Sequence, residues 1–350
     1  MLFSVIVPIF NVAKFFNRGL ETLLAQDFSD YEIILVDDGS TDDSGKLCDD
    51  AANRYENISV AHCVNSGSGP ARNLGIEMAK GDYIMFFDID DMIHADALST
   101  IAASLQKRPV DLLIFSYREI DARTGTKSLL EFTPAELSSN SDIRNAYIPD
   151  LCGMKFNNGF VWNKVYNRLF LKENRLSFEA LRIQQDEAFN LTVYPKAKRL
   201  TVLDRVLYDY FVYSSGNTRS REIPERLEIY RSIRKHFHQI IDAWNLDDID
   251  FRLFVEERFV MSFMEFLRCN IIHSPRLSGK ELRSKIEEEM SANDVQEAVS
   301  FVLSNGNPKG VRLKLFNYIE RSSATEYLRT YHRVRLFTSI KGNIKRIIRL

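Results

Sequence analysis

Short, unbroken apolar runs alternate with stretches of helical spacing through the first 115 residues, and this alternation leaves few folds open. Residues 2–7 form a β-branched run closed by Pro8, and Asn11 stands where it can cap a helix whose Phe16, Leu20, Leu23 and Leu24 recur at helical spacing. Residues 32–36 are the next strand, ending on Asp37-Asp38-Gly39. Ser40-Thr41-Asp42-Asp43 reads as a capping box, with Ser40 as cap, opening a helix to about Tyr55. Strands at 58–61, 83–87 and 111–115, with helices at 69–80 (stopped by Gly81) and 95–107, complete the series. Strands apolar on both faces need cover on both faces. The fold class is therefore α/β: a Rossmann-like, mostly parallel sheet covered by helices.

Such sheets take their ligands beyond the carboxyl ends of the strands. Asn11 follows the first strand, Asp37 and Asp38 the second, Asn65 the third, and Asp88, Asp90 and Asp91 the fourth. Three carboxylates in four positions, straight after a buried run, repel one another unless a cation joins them. Mg²⁺ or Mn²⁺ suits hard oxygen ligands and commonly shares its coordination with a substrate's phosphates. Asp90, in strand phase with Asp88, is the preferred ligand; Asp91 also fits a simple turn or cap. Two adjacent acids at Asp37 and Asp38 exceed what capping needs, and a carboxylate there can accept from a nucleobase N–H or ribose hydroxyls. In the segment 65–75, Gly67 and Gly69 let backbone approach a ligand and the helix N-terminus favours anions. It is no dinucleotide fingerprint, because Arg72 stands where the third glycine belongs, and no Walker sequence occurs. Arg72 either pairs with an acid or reaches the ligand.

Residues 116–220 mix shorter elements with the aromatics Phe160, Trp162 and Tyr166. After Pro224 the chain turns helical, with Phe251, Phe254, Val255, Phe259, Phe263, Phe266 and Leu267 along one face. Three divisions are expected: 1–115 for nucleotide binding, 116–220 for the acceptor and base, and 221–350 as a C-terminal α-helical domain. From Arg329 to Leu350 there are seven Lys or Arg and no acid among spaced apolar residues: either a solvated tail or an interfacial helix drawn to anionic lipid. A formal net charge of −2 argues against electrostatic nucleic-acid binding. Four scattered cysteines read as reduced thiols, the N-terminus lacks a basic signal-peptide region, and no apolar run spans a bilayer. A cytoplasmic location is expected, at most peripheral on the inner face of the plasma membrane.

Together, residues 4–11, 23–26, 33–42, 65–75 and 81–91 resemble glycosyltransferase family 2, the inverting nucleotide-sugar transferases of GT-A fold, in the family's order and at its intervals. The resemblance implies that Asp37 contacts the base and that Pro8 and Asn11 line the same pocket. It implies further that Arg72 sits beside the base or phosphates, that Asp88 approaches the ribose and that Asp90 holds Mg²⁺ or Mn²⁺ against the diphosphate. Asp38 and Asn65 are donor-side candidates from their places at the strand ends. The family's acceptor base is an Asp following a Glu; the similar segment here is Gln184-Gln185-Asp186-Glu187, which implies Asp186, or else Glu187, as base. Residues 161–166 resemble the segment preceding that pair, where Trp162 either stacks on a sugar or packs in the core. The implied activity is metal-dependent, inverting transfer from a nucleoside-diphosphate sugar, UDP favoured, to a hydroxyl of a glycan or lipid-linked glycan in cell-surface polysaccharide synthesis. Gln185 in place of the family's Glu leaves open a non-catalytic nucleotide-sugar-binding subunit.

Overall fold

The computed structural model describes residues 1–152, 159–213, 223–274 and 276–341. They fall into two units, Met1–Thr218 with Asp242–Trp244, and Arg219–Ile241 with Asn245–Leu350. In the first, the expected alternation is realised as β1 (Phe3–Ile9), α1 (Ala13–Leu24), β2 (Tyr31–Asp37), α2 (Ser44–Arg54), β3 (Ile58–His62), α3 (Ser68–Met78) and β4 (Tyr83–Phe86). Then come β5 (Met92–Ile93), α4 (Ala97–Lys107), β6 (Leu112–Asp121), β7 (Lys127–Leu130), β8 (Ala135–Leu137) and α5 (Asn140–Cys152). The unit's remaining elements are β9 (Lys164–Asn167), α6 (Arg168–Glu173), α7 (Gln185–Val193) and β10 (Leu200–Val212).

All ten strands join one sheet, with the order β3-β2-β1-β4-β9-β6-β10-β5 and with β7 and β8 on β6 and β10. The strands β1 to β4 are mutually parallel, and β6 is parallel to β10. Strands β1, β2 and β4 are buried almost throughout, as continuous apolar runs demand. β5, β7 and β8 pair antiparallel with β10 and β6, and within the sheet β9 runs antiparallel to both β4 and β6. Its first residue therefore lies where β4 ends, at the carboxyl edge of that strand. That reversal delivers Trp162, Asn163 and Lys164 to the carboxyl edge.

Neither expected side-chain cap forms. Asn11 does not cap α1; the helix begins after Val12, and its first N–H groups are met by Ser44 Oγ (2.9 Å, from Val12) and Asp42 Oδ2 (3.1 Å, from Ala13). Ser40 does not cap α2 either. Its N–H donates to Asp37 Oδ1 (3.0 Å) and its Oγ accepts from Asn11 N–H (3.1 Å), so both residues bind β1's loop to β2's. Side chains from the neighbouring loop satisfy these groups, which local spacing does not reveal.

The second unit is helical: α8 (Arg226–Trp244), α9 (Ile249–Phe266) continuing through a π-helical turn at Leu267–Ile272, α10 (Gly279–Met290), α11 (Asn293–Asn305), α12 (Gly310–Glu320) and α13 (Ala324–Lys341). The expected face of α9 is buried, with Phe254 only half so. Glu256, 1% exposed, is paired by Arg234 (2.8 Å) and His238 (2.9 Å) from α8. No helix among the described residues is long and apolar enough to cross a membrane. Residues 342–350 of the basic tail lie outside the described residues.

Candidate active site

At the ends of β1 and β2 the predicted donor residues are largely occupied with one another. Asn11, at φ +52°, accepts from the N–H of Thr41 (2.8 Å) through Oδ1. Pro8 is half-buried, in register with Val36. Asp37 is 5% exposed and faces α2: its Oδ2 meets His62 Nδ1 (2.9 Å), and His62 Nε2 meets Asp49 (3.0 Å). Burial works against the Asp37 charge, yet Ser40 and His62 outweigh it and hold its carboxyl below the usual range; Asp37 and Asp49 in turn raise His62. Asp38, one position on, takes the other side of the turn and receives the N–H groups of Ser66 and Gly67, each at 2.8 Å.

That arrangement occupies part of the anion cradle expected at 65–75. The amides of Ser66 and Gly67 are already bound to Asp38, and Pro70 has none to offer. Gly69 is not small for a ligand's sake. A Cβ there would come within 2.6 Å of Glu179 O, so the glycine admits the segment leading to α7. Asn73 clamps that same segment with two bonds, from its Nδ2 to Phe178 O (2.9 Å) and from Phe178 N–H to its Oδ1 (2.8 Å). Asn65 stays exposed at the edge.

Beyond β4 the acids lie in a turn, Asp91 N–H donating to Asp88 O (2.9 Å), rather than in strand alternation. Asp91 is structural: 1% exposed, it accepts from Tyr208 OH and Phe211 N–H, both at 2.8 Å. Burial, with Asp90 and Asp88 adding, raises its carboxyl well above the usual range. The backbone carbonyl of Asp90 is held by the Arg18 guanidinium and by Tyr213 OH (3.1 Å), while its carboxylate has no ion pair among the described residues. Burial and then Asp88 push Asp90 up to about 6. A half-buried oxygen donor short of a cation fits Mg²⁺ or Mn²⁺. Among the described residues no group of three or more His, Cys, Asp or Glu gathers to hold an ion, so a metal at Asp90 needs ligands from a diphosphate.

Arg72 joins this turn to α7. Its Nη2 donates to Asp88 Oδ1 (3.1 Å) and its Nη1 to Asp186 Oδ1 (2.7 Å), with the guanidinium 4% exposed beside Phe178 and Phe86. Burial opposes its charge, but Asp186 and Asp88 prevail and keep its pKa above the ordinary value. Asp186 sits in the first turn of α7. Burial pushes its carboxyl up to about 6; Asp88 adds to the shift, while Arg72 and Lys164 oppose it. Gln185 turns away, its Nε2 on Ser68 Oγ (2.5 Å), and Glu187 accepts from Gln184 Nε2 (3.1 Å). Asn190 pins the helix to Tyr166 OH (2.7 Å) and to Gly159 O (2.9 Å).

Trp162 requires a correction. It is 1% exposed, stacked on Tyr208 (4.7 Å, 14°) and Phe160 (4.7 Å, 26°), with Tyr117 edge-on at 4.6 Å. Both ring faces are covered, so no sugar can stack there.

A glycosyl transferase family 2 model matches residues 4–173. The Bacillus subtilis glycosyltransferase EpsJ is 30% identical over 85% of this chain and 86% of its own length. The chain belongs to glycosyltransferase family 2. This family-2 transferase is also 28% identical to the Staphylococcus aureus poly(ribitol-phosphate) beta-N-acetylglucosaminyltransferase TarS, over 83% of the chain but only 47% of that longer relative. A crystal structure of S. aureus TarS in complex with UDP-GlcNAc shares its fold, GT-A with a C-terminal helical region, at TM-score 0.68 and 23% identity, covering 96% of this chain and 92% of that one. The transferase carries site residues that sequence reading passed over: Arg18, His62, Lys164, Tyr208 and Tyr213. Lys164 left a faint signal, a lysine inside the strand-like run Val161-Trp162-Asn163-Lys164-Val165-Tyr166. The others left none.

Proposed function

We propose that this transferase moves a sugar from a UDP-sugar to a hydroxyl of a glycan or lipid-linked glycan by single displacement with inversion, in cell-surface polysaccharide synthesis. The observation that carries the reading is the bridge Asp88–Arg72–Asp186, in which a buried guanidinium couples the carboxylate beyond β4 to one suited to proton abstraction. The poly(ribitol-phosphate) transferases among the relatives, and UDP-GlcNAc in the TarS complex, support the donor and the polymer setting.

In this reading Asp186 accepts the acceptor hydroxyl's proton as that oxygen attacks the anomeric carbon opposite the leaving group. A carboxyl near 6 is ionised at neutral pH yet basic enough to take that proton. Asp90 would hold Mg²⁺ or Mn²⁺, whose charge stabilises the departing diphosphate; a mannosyltransferase of Pyrobaculum calidifontis with GDP-Man and Mn²⁺ has a related fold (TM-score 0.52). Asp186 is favoured over Glu187 because it alone of the two meets Arg72, and Gln185 on Ser68 leaves that carboxylate in place, against a non-catalytic subunit. A donor screen reading released nucleoside diphosphate, with and without Mn²⁺, tests this. Asp90→Ala is expected to lose transfer while keeping a native circular-dichroism spectrum. Full activity of that variant, or of the wild type in excess chelator, removes the metal from the scheme.

A further inference from the structure

Lys164 is a charged residue in the first unit with no exposed surface at all. It opens β9 where that antiparallel strand meets the carboxyl edge, paired in register with Ile114 of β6. Its Nζ donates to Phe160 O (2.5 Å) and Asn163 Oδ1 (2.9 Å), and no carboxylate among the described residues lies within ion-pair distance. Two neutral acceptors compensate a buried ammonium poorly. The ordinary solution in a core is an apolar side chain, as in the next residue, Val165. Geometry puts this ammonium beside the helix face that carries Asp186: Phe160 O accepts from both Lys164 Nζ and Asn190 Nδ2 (3.1 Å), and Asn190 follows Asp186 by one turn of α7. Burial pulls the lysine down to about 7, and the Asp186 charge opposes that pull. Reciprocally, Lys164 is one of two cations countering burial and Asp88 at the carboxylate.

We propose that Lys164 is a positioning residue for the base: its ammonium, fixed by Phe160 and Asn163, holds Asp186 in the charged, proton-accepting form beside Asp88. This deepens the role assigned above and rests on it. The charged and titratable groups that act on Asp186 are Arg72 from α3, Asp88 after β4, and Lys164 and Tyr166 from β9. Arg72 is shared with Asp88, so its charge is divided between two carboxylates. Lys164 is not shared. Its contribution falls on Asp186, and it sits at the start of a strand rather than in a loop, paired with Ile114 of β6 and followed by Val165, which pairs with Met85 of β4.

The coupling is readable without turnover. In the full chain with ¹³C-labelled lysine, the Lys164 signal is assigned as the one absent from Lys164→Met, or from Lys164→Arg should the first not fold. Its midpoint is expected to fall by about one pH unit in Asp186→Asn, since an opposite charge that stabilised the ammonium is gone. An unmoved midpoint overturns the proposal. In donor turnover, followed as UDP release from UDP-GlcNAc with Mn²⁺, the acid limb of Lys164→Met moves upward by about one unit, and Lys164→Arg restores its position. A uniform drop in kcat with an unmoved limb shows a merely structural lysine and overturns it equally. If UDP is never released while the lysine midpoint still responds to Asp186→Asn, the pairing stands and the transferase reading falls instead.

Discussion

Asp91 is 1% exposed and the Asp186 side chain 21%, and the partners of these two carboxylates separate their roles. Asp91 spends its oxygens on a backbone amide and a tyrosine hydroxyl, which fix β10 against the acidic turn. Asp186 receives one guanidinium bond at Oδ1 and is left with an oxygen for an incoming proton. Because its carboxyl lies near 6, the base form is present above that pH and is lost tenfold per unit below it. A kcat profile at saturating donor and metal is therefore expected to show an acid limb near pH 6. A profile flat to pH 5 rules out Asp186 as the group that must be ionised. Asp186→Asn is expected to lose about 10²–10⁴-fold in kcat, measurable with any donor and acceptor that support wild-type turnover.

Helix α7 is placed by contacts to α3 and β9, not by its own sequence. The residue at its N-cap, Gln184, is left-handed at φ +59° and makes no side-chain cap bond, and the helix is held by Gln185 on Ser68 and Asn190 on the 159–160 loop. Phe178 stacks on Phe189 of α7 at 4.0 Å, so the segment clamped by Asn73 and the helix move together. Gly69→Ala puts a methyl carbon 2.6 Å from Glu179 O, against backbone that cannot rotate away. Overpacking of this kind costs about 1–3 kcal/mol. The expected outcome is a thermal midpoint lower by several degrees and a kcat reduced more than donor affinity, because the displaced segment carries Asp186. Equal losses in both parameters argue that α3 and α7 are less tightly joined than this packing implies. The spacing of 65–75 pointed to a ligand here; the glycine is needed instead by a segment more than a hundred positions away.

A sheet that collects its polar groups at one edge links substrate binding to global stability. If donor and metal bind only the native state, 100-fold saturation adds about 2.7 kcal/mol. UDP-sugar with Mn²⁺ is expected to raise the thermal midpoint of the full chain, and Asp90→Asn to cancel the part that needs metal; equal shifts in both proteins argue against Asp90 as ligand. The α/β alternation and the gathering of Asp37, Asp38, Asn65 and Asp88–Asp91 at one edge follow from local periodicity and chain order, so they could be read directly from residues 1–115. The helical character of the second unit was open to the same reading, through the apolar face of α9. Three features were not. Arg72 meets Asp186 across 114 positions, β9 reverses to bring Lys164 to the edge, and Trp162 vanishes between Tyr208 and Phe160. Each depends on which distant segments approach one another as the sheet closes. A pattern confined to neighbouring residues carries no record of that approach, and the proton chemistry of the site is set there.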